Sequence, residues 1–456
     1  MVRGVSARHA LRRLAEPVDI ASLIAFRIGF GLLMLVASVR FLLRGWVHDE
    51  YEVPRTFFHY WGFAWVKPWP PPGMYVHYAL MAGASALVAL GLWYRASIIA
   101  FGLLFSYAHF VDKTNYLNHY YLVSCLALIM AFLPLDRAGS VRTWRRRGPE
   151  EAWTHVPGWC LWLVRAQVAC VYLFGGIAKL KGDWLLHAQP LTIWLGTNTE
   201  FPLLGRWFHE KWFAYAFSWA GAASDLTIVG WLLWRRSRPF AYAVVLLFHV
   251  ITGKLFQLGM FPWIMSAVAV VFFDPSWPRR LLERARVLAP IAADARPPSF
   301  PPLPRWGRAL AIAYLGWHVL FPFRHLVYGG NVLWTEQGFR FAWNVMLIEK
   351  NGVVELSVVD RATGARSLVD ASDYLTPYQV KMMSTQPDMI LELAHVIAHD
   401  YARRGRSVEV HADAQVTLNG RRLHPLIDPS VDLAAVPEGV GRKPWILPAP
   451  TEGPEF

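Results

Sequence analysis

Long apolar runs alternate with short polar segments along this chain, and the pattern changes character near residue 324. Nine runs approach the roughly 20 residues that a helix needs to cross a hydrocarbon layer. They are Ile20–Leu43, Met74–Tyr94, Ala96–Val111, Tyr120–Pro134, Gly158–Ala178, Ala214–Trp234, Phe240–Leu258, Phe261–Phe273 and Gly307–Phe323. The eighth is short enough to predict a re-entrant or broken segment, tolerated only where protein or a water-filled cavity satisfies its backbone.

The tail follows other periods. Residues Val408, Val410, Ala412, Val416 and Leu418 alternate onto one face of Ser407–Leu418, and Asn419-Gly420 then signals a tight turn. Val353–Val359 predicts a second strand, and Gln386-Pro387-Asp388 opens an amphipathic helix through Tyr401. The expected fold class is therefore a polytopic α-helical membrane protein with about nine transmembrane helices and a small C-terminal α+β extracytoplasmic domain. Its expected divisions are a tail over 1–19, a transmembrane helical domain over 20–323 and the α+β domain over 324–456. Pro297–Pro304 is a Pro-rich linker before the last span.

Basic residues orient the spans. Arginines cluster at Arg3–Arg13, Arg95, Arg137–Arg147, Arg235–Arg238 and Arg279–Arg286. With nine spans and a cytoplasmic N-terminus, every cluster lies inside, as the positive-inside rule requires. The segments Arg44–Gly73, Asp112–His119 and Lys179–Trp212, and the C-terminus, are then extracytoplasmic. The expected location is integral to the membrane, a bacterial inner membrane by the resemblance below. The N-terminus, Met1–Asp19, is too polar for a signal peptide, so the first span is expected to direct its own insertion.

Composition sharpens this picture. Of 456 residues 55% are hydrophobic, 15% aromatic and 17% charged, and the mean hydropathy is +0.29. The net charge of +13 sits in those arginine clusters, which argues for bilayer orientation and against a nucleic-acid partner. Cys125, Cys160 and Cys170 fall inside apolar runs, as inert core thiols do.

Ionisable groups at membrane depth are costly and mark function or pairing. Those within the spans are Arg27, Arg165, Asp225, His249 and Lys254. Arg165 and Asp225 are expected to pair as a structural bridge between helices, and Arg27 to act as a helix clamp or a headgroup contact. Three polar clusters share one side. They are Asp112–His119, Lys179–Trp184 after Gly175-Gly176-Ile177-Ala178, and His249 with Lys254–Met260. Singly, each reads as an interfacial collar; together they suggest a site. A desolvated lysine beyond an apolar helix end can serve as a base, and a nearby histidine can share its proton. No Gly-rich phosphate loop or CxxC motif occurs, and neither metal nor nucleotide is expected.

At these clusters the sequence resembles the vitamin K-dependent γ-glutamyl carboxylase family, including its bacterial members. The matching stretches are DKTNYLNHYYL (Asp112–Leu122), FGGIAKLKGDW (Phe174–Trp184), FHVITGKLFQLGMFPWIM (Phe248–Met265) and GFRFAWNVM (Gly338–Met346). QPDMILELAH (Gln386–His395) and IDPSVDLAAVPEGVGRKPWILP (Ile427–Pro448) follow in family order. The resemblance implies that Lys179 is the base that deprotonates vitamin K hydroquinone, with His119 assisting and Asn118 beside it. Oxygenation then yields a base able to take a γ-proton from protein-bound glutamate, CO2 is captured and vitamin K epoxide is released. The implied co-substrates are O2 and CO2, and the partners are membrane lipid, the quinone and a glutamate-containing secreted protein or peptide. His249, Trp343 and Met346 would line the substrate or quinone chamber. Animal members carry a longer lumenal domain, and a Lys-Lys pair where this chain has Ala178-Lys179, so a shortened peptide-recognition unit is expected. The alternatives are an epoxidase without glutamate carboxylation, and a non-enzymatic lipid- or quinone-binding module.

Overall fold

A computed structural model describes residues 14–145, 153–256, 258–287 and 298–455. The cluster Arg3–Arg13, the end of the Arg137–Arg147 cluster and the first residue of the Pro297–Pro304 linker lie outside them.

The helical part comprises α1 (Ala21–Leu43), α2 (Gly73–Leu90), α3 (Tyr94–Val111), α4 (Asn118–Phe132) and α5 (Gly158–Ala178). It continues with α6 (Lys211–Leu233), α7 (Arg238–Phe256), α8 (Phe261–Val268) and α9 (Arg305–Leu320). Among the described residues seven helices are long and apolar enough to cross a membrane, counting α9 with its continuation to Tyr328. The fourth and eighth expected spans are helical but shorter, Asn118–Phe132 and Phe261–Phe272. Seven is thus the supported count where nine were expected. In α4 the polar stretch before Asn118 takes up length as a 3-10 turn (Lys113–Asn115), and α8 ends in a 3-10 turn over Ala269–Phe272. Leu32, Val36, Leu103, Leu128, Val250, Ile312 and Leu320 all face outward, as lipid-facing side chains do. The chain is an integral membrane protein.

A buried arginine closes helix ends. Arg27 donates to the carbonyls of Ala89, Leu135 and Gly139 at 3.2, 2.6 and 2.6 Å, and is a helix clamp. A cation beside the free carbonyls of a helix C-terminus is favoured by both hydrogen bonding and the helix dipole. The close crossing of α1 and α2 needs Gly31, where a Cβ would stand 2.5 Å from the backbone nitrogen of Ala89.

A short antiparallel ladder, β1 (Pro17–Asp19) with β2 (His155–Pro157), ties the start of α1 to the start of α5. The C-terminal unit is a four-stranded sheet of order β4-β3-β5-β6. Its strands are β3 (Lys350–Asp360), β4 (Arg366–Val369), β5 (Val408–Leu418) and β6 (His424–Pro425). Register runs from Lys350 opposite Leu418 to Asp360 opposite Val408. The amphipathic helix α10 (Pro387–Arg403) buries Met389, Ile390, Leu393 and Ile397 in the same core as the inward residues of β5. That core is continuous with Phe58, Trp184, Leu195 and Phe208 of the helical part.

Candidate active site

Polar contacts bring two of the three clusters, Asp112–His119 and Lys179–Trp184, to the C-terminal unit. Lys113 bridges Asp388 and Glu392 at 3.1 and 2.9 Å, and Arg340 reaches Asp388 at 2.8 Å. Burial opposes the Lys113 ammonium, yet the two carboxylates hold it above its usual range. Burial likewise opposes the Asp388 carboxylate, but Arg340 and Lys113 hold it far below the usual carboxylate range. Asp112 accepts from Gln379 at 3.0 Å, and Asn118 donates to the carbonyl of Asn344 at 3.0 Å. Asp183 pairs with Arg421 at 2.6 Å. Two stretches far apart in sequence, DKTNYLNHYYL and QPDMILELAH, thus meet through Lys113 and Asp388.

Lys179 caps α5 and is buried. Its Nζ lies 2.8 Å from Oδ2 of Asp225, donates to the carbonyl of Gly175 at 3.3 Å, and sits 5.2 Å from the centre of the Trp184 ring. The expected bridge between Arg165 and Asp225 is therefore corrected. Arg165 donates instead to the carbonyls of Val271 and Phe273, at 2.8 and 3.1 Å, beyond α8. The reason is helical rise: Arg165 lies fourteen residues before Lys179, about 21 Å along α5, while α6 sets Asp225 at the level of Gly175.

The glycine pair makes that approach possible. A Cβ on Gly176 would stand 2.8 Å from Cγ and 2.9 Å from the backbone nitrogen of Leu226. Gly176→Ala is expected to push α5 and α6 apart and cost about 1–3 kcal/mol, as overpacking does. A melting point equal to the parent's would show that the helices yield freely there.

Two cavities adjoin. A small one, about 60 Å³, is lined by Lys179, Asp225, Tyr172, His249 and Phe261. A larger one, about 770 Å³, is lined by Asn118, His119, His109, Glu50 and Tyr120, with Met34, Met81, Phe105 and Ile264 among its apolar walls. Phe256, Leu258, Phe261, Val345 and Met346 belong to both. The Phe261 ring stands between the two histidines, 6.0 Å from His119 and 5.7 Å from His249, centre to centre. His249 meets the Tyr172 hydroxyl at 3.3 Å. Lys179 and His119 therefore line neighbouring voids, separated by Phe261 and its neighbours.

Of the other sequence candidates, Asn118 and Met346 are in these walls. Trp343 is not, which corrects its expected place: its indole is fully buried and stacks on Tyr121, with centres 4.8 Å apart. Phe341, Trp343 and Met346 all have φ between +57 and +59°, an uncommon backbone for such bulky residues. That winding separates the fates of Trp343 and Met346. Sequence reading missed Asp225 as the lysine's partner, and it missed Phe261 and Glu50 as wall residues. Glu50 sits beside a span end with no helical period to place it.

The chain matches the family model of the HTTM domain over residues 15–277, more than half its length. It also matches the vitamin K-dependent gamma-carboxylase lumenal domain over residues 304–452. The chain belongs to the vitamin K-dependent γ-carboxylase family. No solved structure matches it. In this family member the lumenal-domain match covers the whole sheet and α10, so the unit that Lys113 and Asp183 grip is the family's own second domain.

Proposed function

We propose that this chain oxygenates reduced vitamin K, a hydroquinone, to the epoxide and uses the base so generated to carboxylate protein glutamate, with O2 and CO2 as co-substrates. The observation that carries the reading is the buried Lys179 amine, held by Asp225 and facing a void beside a chamber of ligand size. Small-molecule sites span roughly 300–1,000 Å³ and are mostly apolar with a few placed polar groups. The larger chamber meets that description, and the Nε2 atom of buried His109 in its wall has no hydrogen-bond partner among the described residues. The bound hydroquinone supplies the redox energy that no side chain holds.

The residues of the chain do the rest. A lysine is a base only after giving up its proton, and Oδ2 of Asp225 at 2.8 Å is the place for that proton to go. Transfer within the pair turns ammonium and carboxylate into amine and acid without separating charge in a dry site. His119 is positioned to hydrogen-bond a ring oxygen in the chamber. Trp184, Leu191 and Phe217 give the small cavity apolar walls, which favour exclusion of water. We further propose that the N-terminus is cytoplasmic, that the two shorter apolar helices complete nine crossings, and that the unit from residue 324 onward faces outward to meet a secreted protein or peptide.

Purified protein in detergent, given vitamin K hydroquinone and air, tests the reading. Epoxide with labelled bicarbonate entering a glutamate-containing peptide is expected. Epoxide without label would leave the epoxidase alternative, and neither signal from folded protein would leave only a binding module. His119→Ala is expected to slow epoxide formation by roughly 10²–10⁴-fold, as loss of a general acid–base partner does. An unchanged rate would remove His119 from the chemistry.

A further inference from the structure

One polar group in the chamber wall has no task in the reading above. Glu50 stands on a π-helical turn, His48–Glu52, just beyond α1. It lines the chamber together with Arg40, Tyr51, Tyr78, His109 and His119. Among the described residues no hydrogen bond or ion pair to the Glu50 side chain is found.

The groups around it are otherwise engaged. Arg40 of α1 contacts Sδ of Met260 at 3.7 Å and lies over the Trp46 ring. Tyr51 and Tyr78 hydrogen-bond each other at 3.0 Å. Asp112, after α3, accepts from the Thr114 amide at 2.8 Å and from Gln379. Asp49 shares the turn. His109 of α3 and His119 and Tyr120 of α4 complete that wall, and Tyr378 of the C-terminal unit lies within electrostatic reach. Burial, then the negative fields of Asp112 and Asp49, push the Glu50 carboxyl up to about 8. Near neutral pH it is an acid with one O–H to give and no acceptor among the described residues. An idle donor in an apolar cavity is costly, and a ligand oxygen relieves that cost.

We propose that Glu50, as a neutral acid, hydrogen-bonds the oxygen of a bound quinone that lies away from His119, and so decides which of its two oxygens the histidine meets. The inference rests on the quinone reading of the chamber. A para-quinone offers two similar oxygens, so a second donor in the chamber wall besides His119 selects the orientation. Being uncharged, that donor does not repel the negative charge that grows on the ring when the base acts.

Equilibrium dialysis of the purified full chain in detergent against 2-methyl-1,4-naphthoquinone tests this without turnover. Between about pH 6.5 and about pH 9.5 the parent is expected to lose roughly tenfold in affinity, because the donor proton is present below the carboxyl's titration and gone above it. Glu50→Gln keeps an N–H donor and is expected to bind within about threefold of the parent with no such fall. Glu50→Leu is expected to bind about tenfold more weakly near neutrality, with a flat profile. Equal binding by Glu50→Leu, or a pH-dependent fall that persists in Glu50→Gln, overturns the proposal. If Glu50→Leu fails to fold, the Glu50→Gln profile alone decides. A parent that binds no naphthoquinone overturns the chamber assignment with it, whereas a parent that binds and variants that match it overturn the Glu50 role only.

Discussion

Lys179→Arg is expected to form no measurable epoxide while keeping the parent's melting point within a few degrees. A guanidinium can take the place of the ammonium beside Asp225, so the buried charge pair survives. It cannot give up its proton in a protein, so the base is lost. The drop in rate should reach at least the roughly 10²–10⁴-fold typical of a missing general base. Lys179→Ala should be as inactive, but it also strips Asp225 of its partner and should melt earlier. The two variants together separate chemistry from fold: inactivity of both with stability lost only in the alanine variant is the catalytic signature. An arginine variant that retains a tenth of the parent's rate would mean that the amine at 179 is a structural cation and that another group is the base.

Much of the architecture was written in hydrophobic period. The seven crossing-length helices coincide with apolar runs, and the alternation of Val408 to Leu418 became β5, paired along its whole length with β3. The amphipathic helix from Pro387 formed as its spacing required, because Met389, Ile390, Leu393 and Ile397 fall on one stripe. Run length was the weaker guide. The segments at α4 and α8 are apolar, but at 10–17 residues their helices fall short of a full crossing, and hydrophobic period alone does not set that length.

The candidate site was legible in most of its wall residues and not in its pairings. Lys179, His119, Asn118, His249 and Met346 were singled out by their place at span ends and by the family resemblance, and all of them line the two adjoining cavities. Which acid meets which base depends on how helices far apart in sequence are staggered, and one sequence does not record that stagger. Arg165 looked like the partner of Asp225 because both are charges at membrane depth. The carbonyls of Val271 and Phe273 satisfy the guanidinium just as well, and they leave the carboxylate to the lysine. Trp343 was lost for a related reason: the left-handed backbone at 341, 343 and 346 turns neighbouring side chains to different surroundings.

Asp225→Leu is expected to be the most damaging single change to stability, at about 3–5 kcal/mol, because it leaves an ammonium buried with no counter-charge. Lys179→Met alone is also expected to destabilise, because it leaves the buried Asp225 without its partner. The double variant Lys179→Met with Asp225→Leu should recover most of the loss, because two packed apolar side chains replace a desolvated pair at small net cost. A double-mutant cycle in detergent melts would then show a coupling of at least ~2 kcal/mol, with the double variant stable yet inactive. That combination distinguishes a pair kept for chemistry from one kept for folding: stability returns without it and turnover does not. Additive losses, with the double variant the least stable of the three, would mean that the 2.8 Å contact carries no coupling, and Asp225 would no longer be the place where the lysine's proton goes.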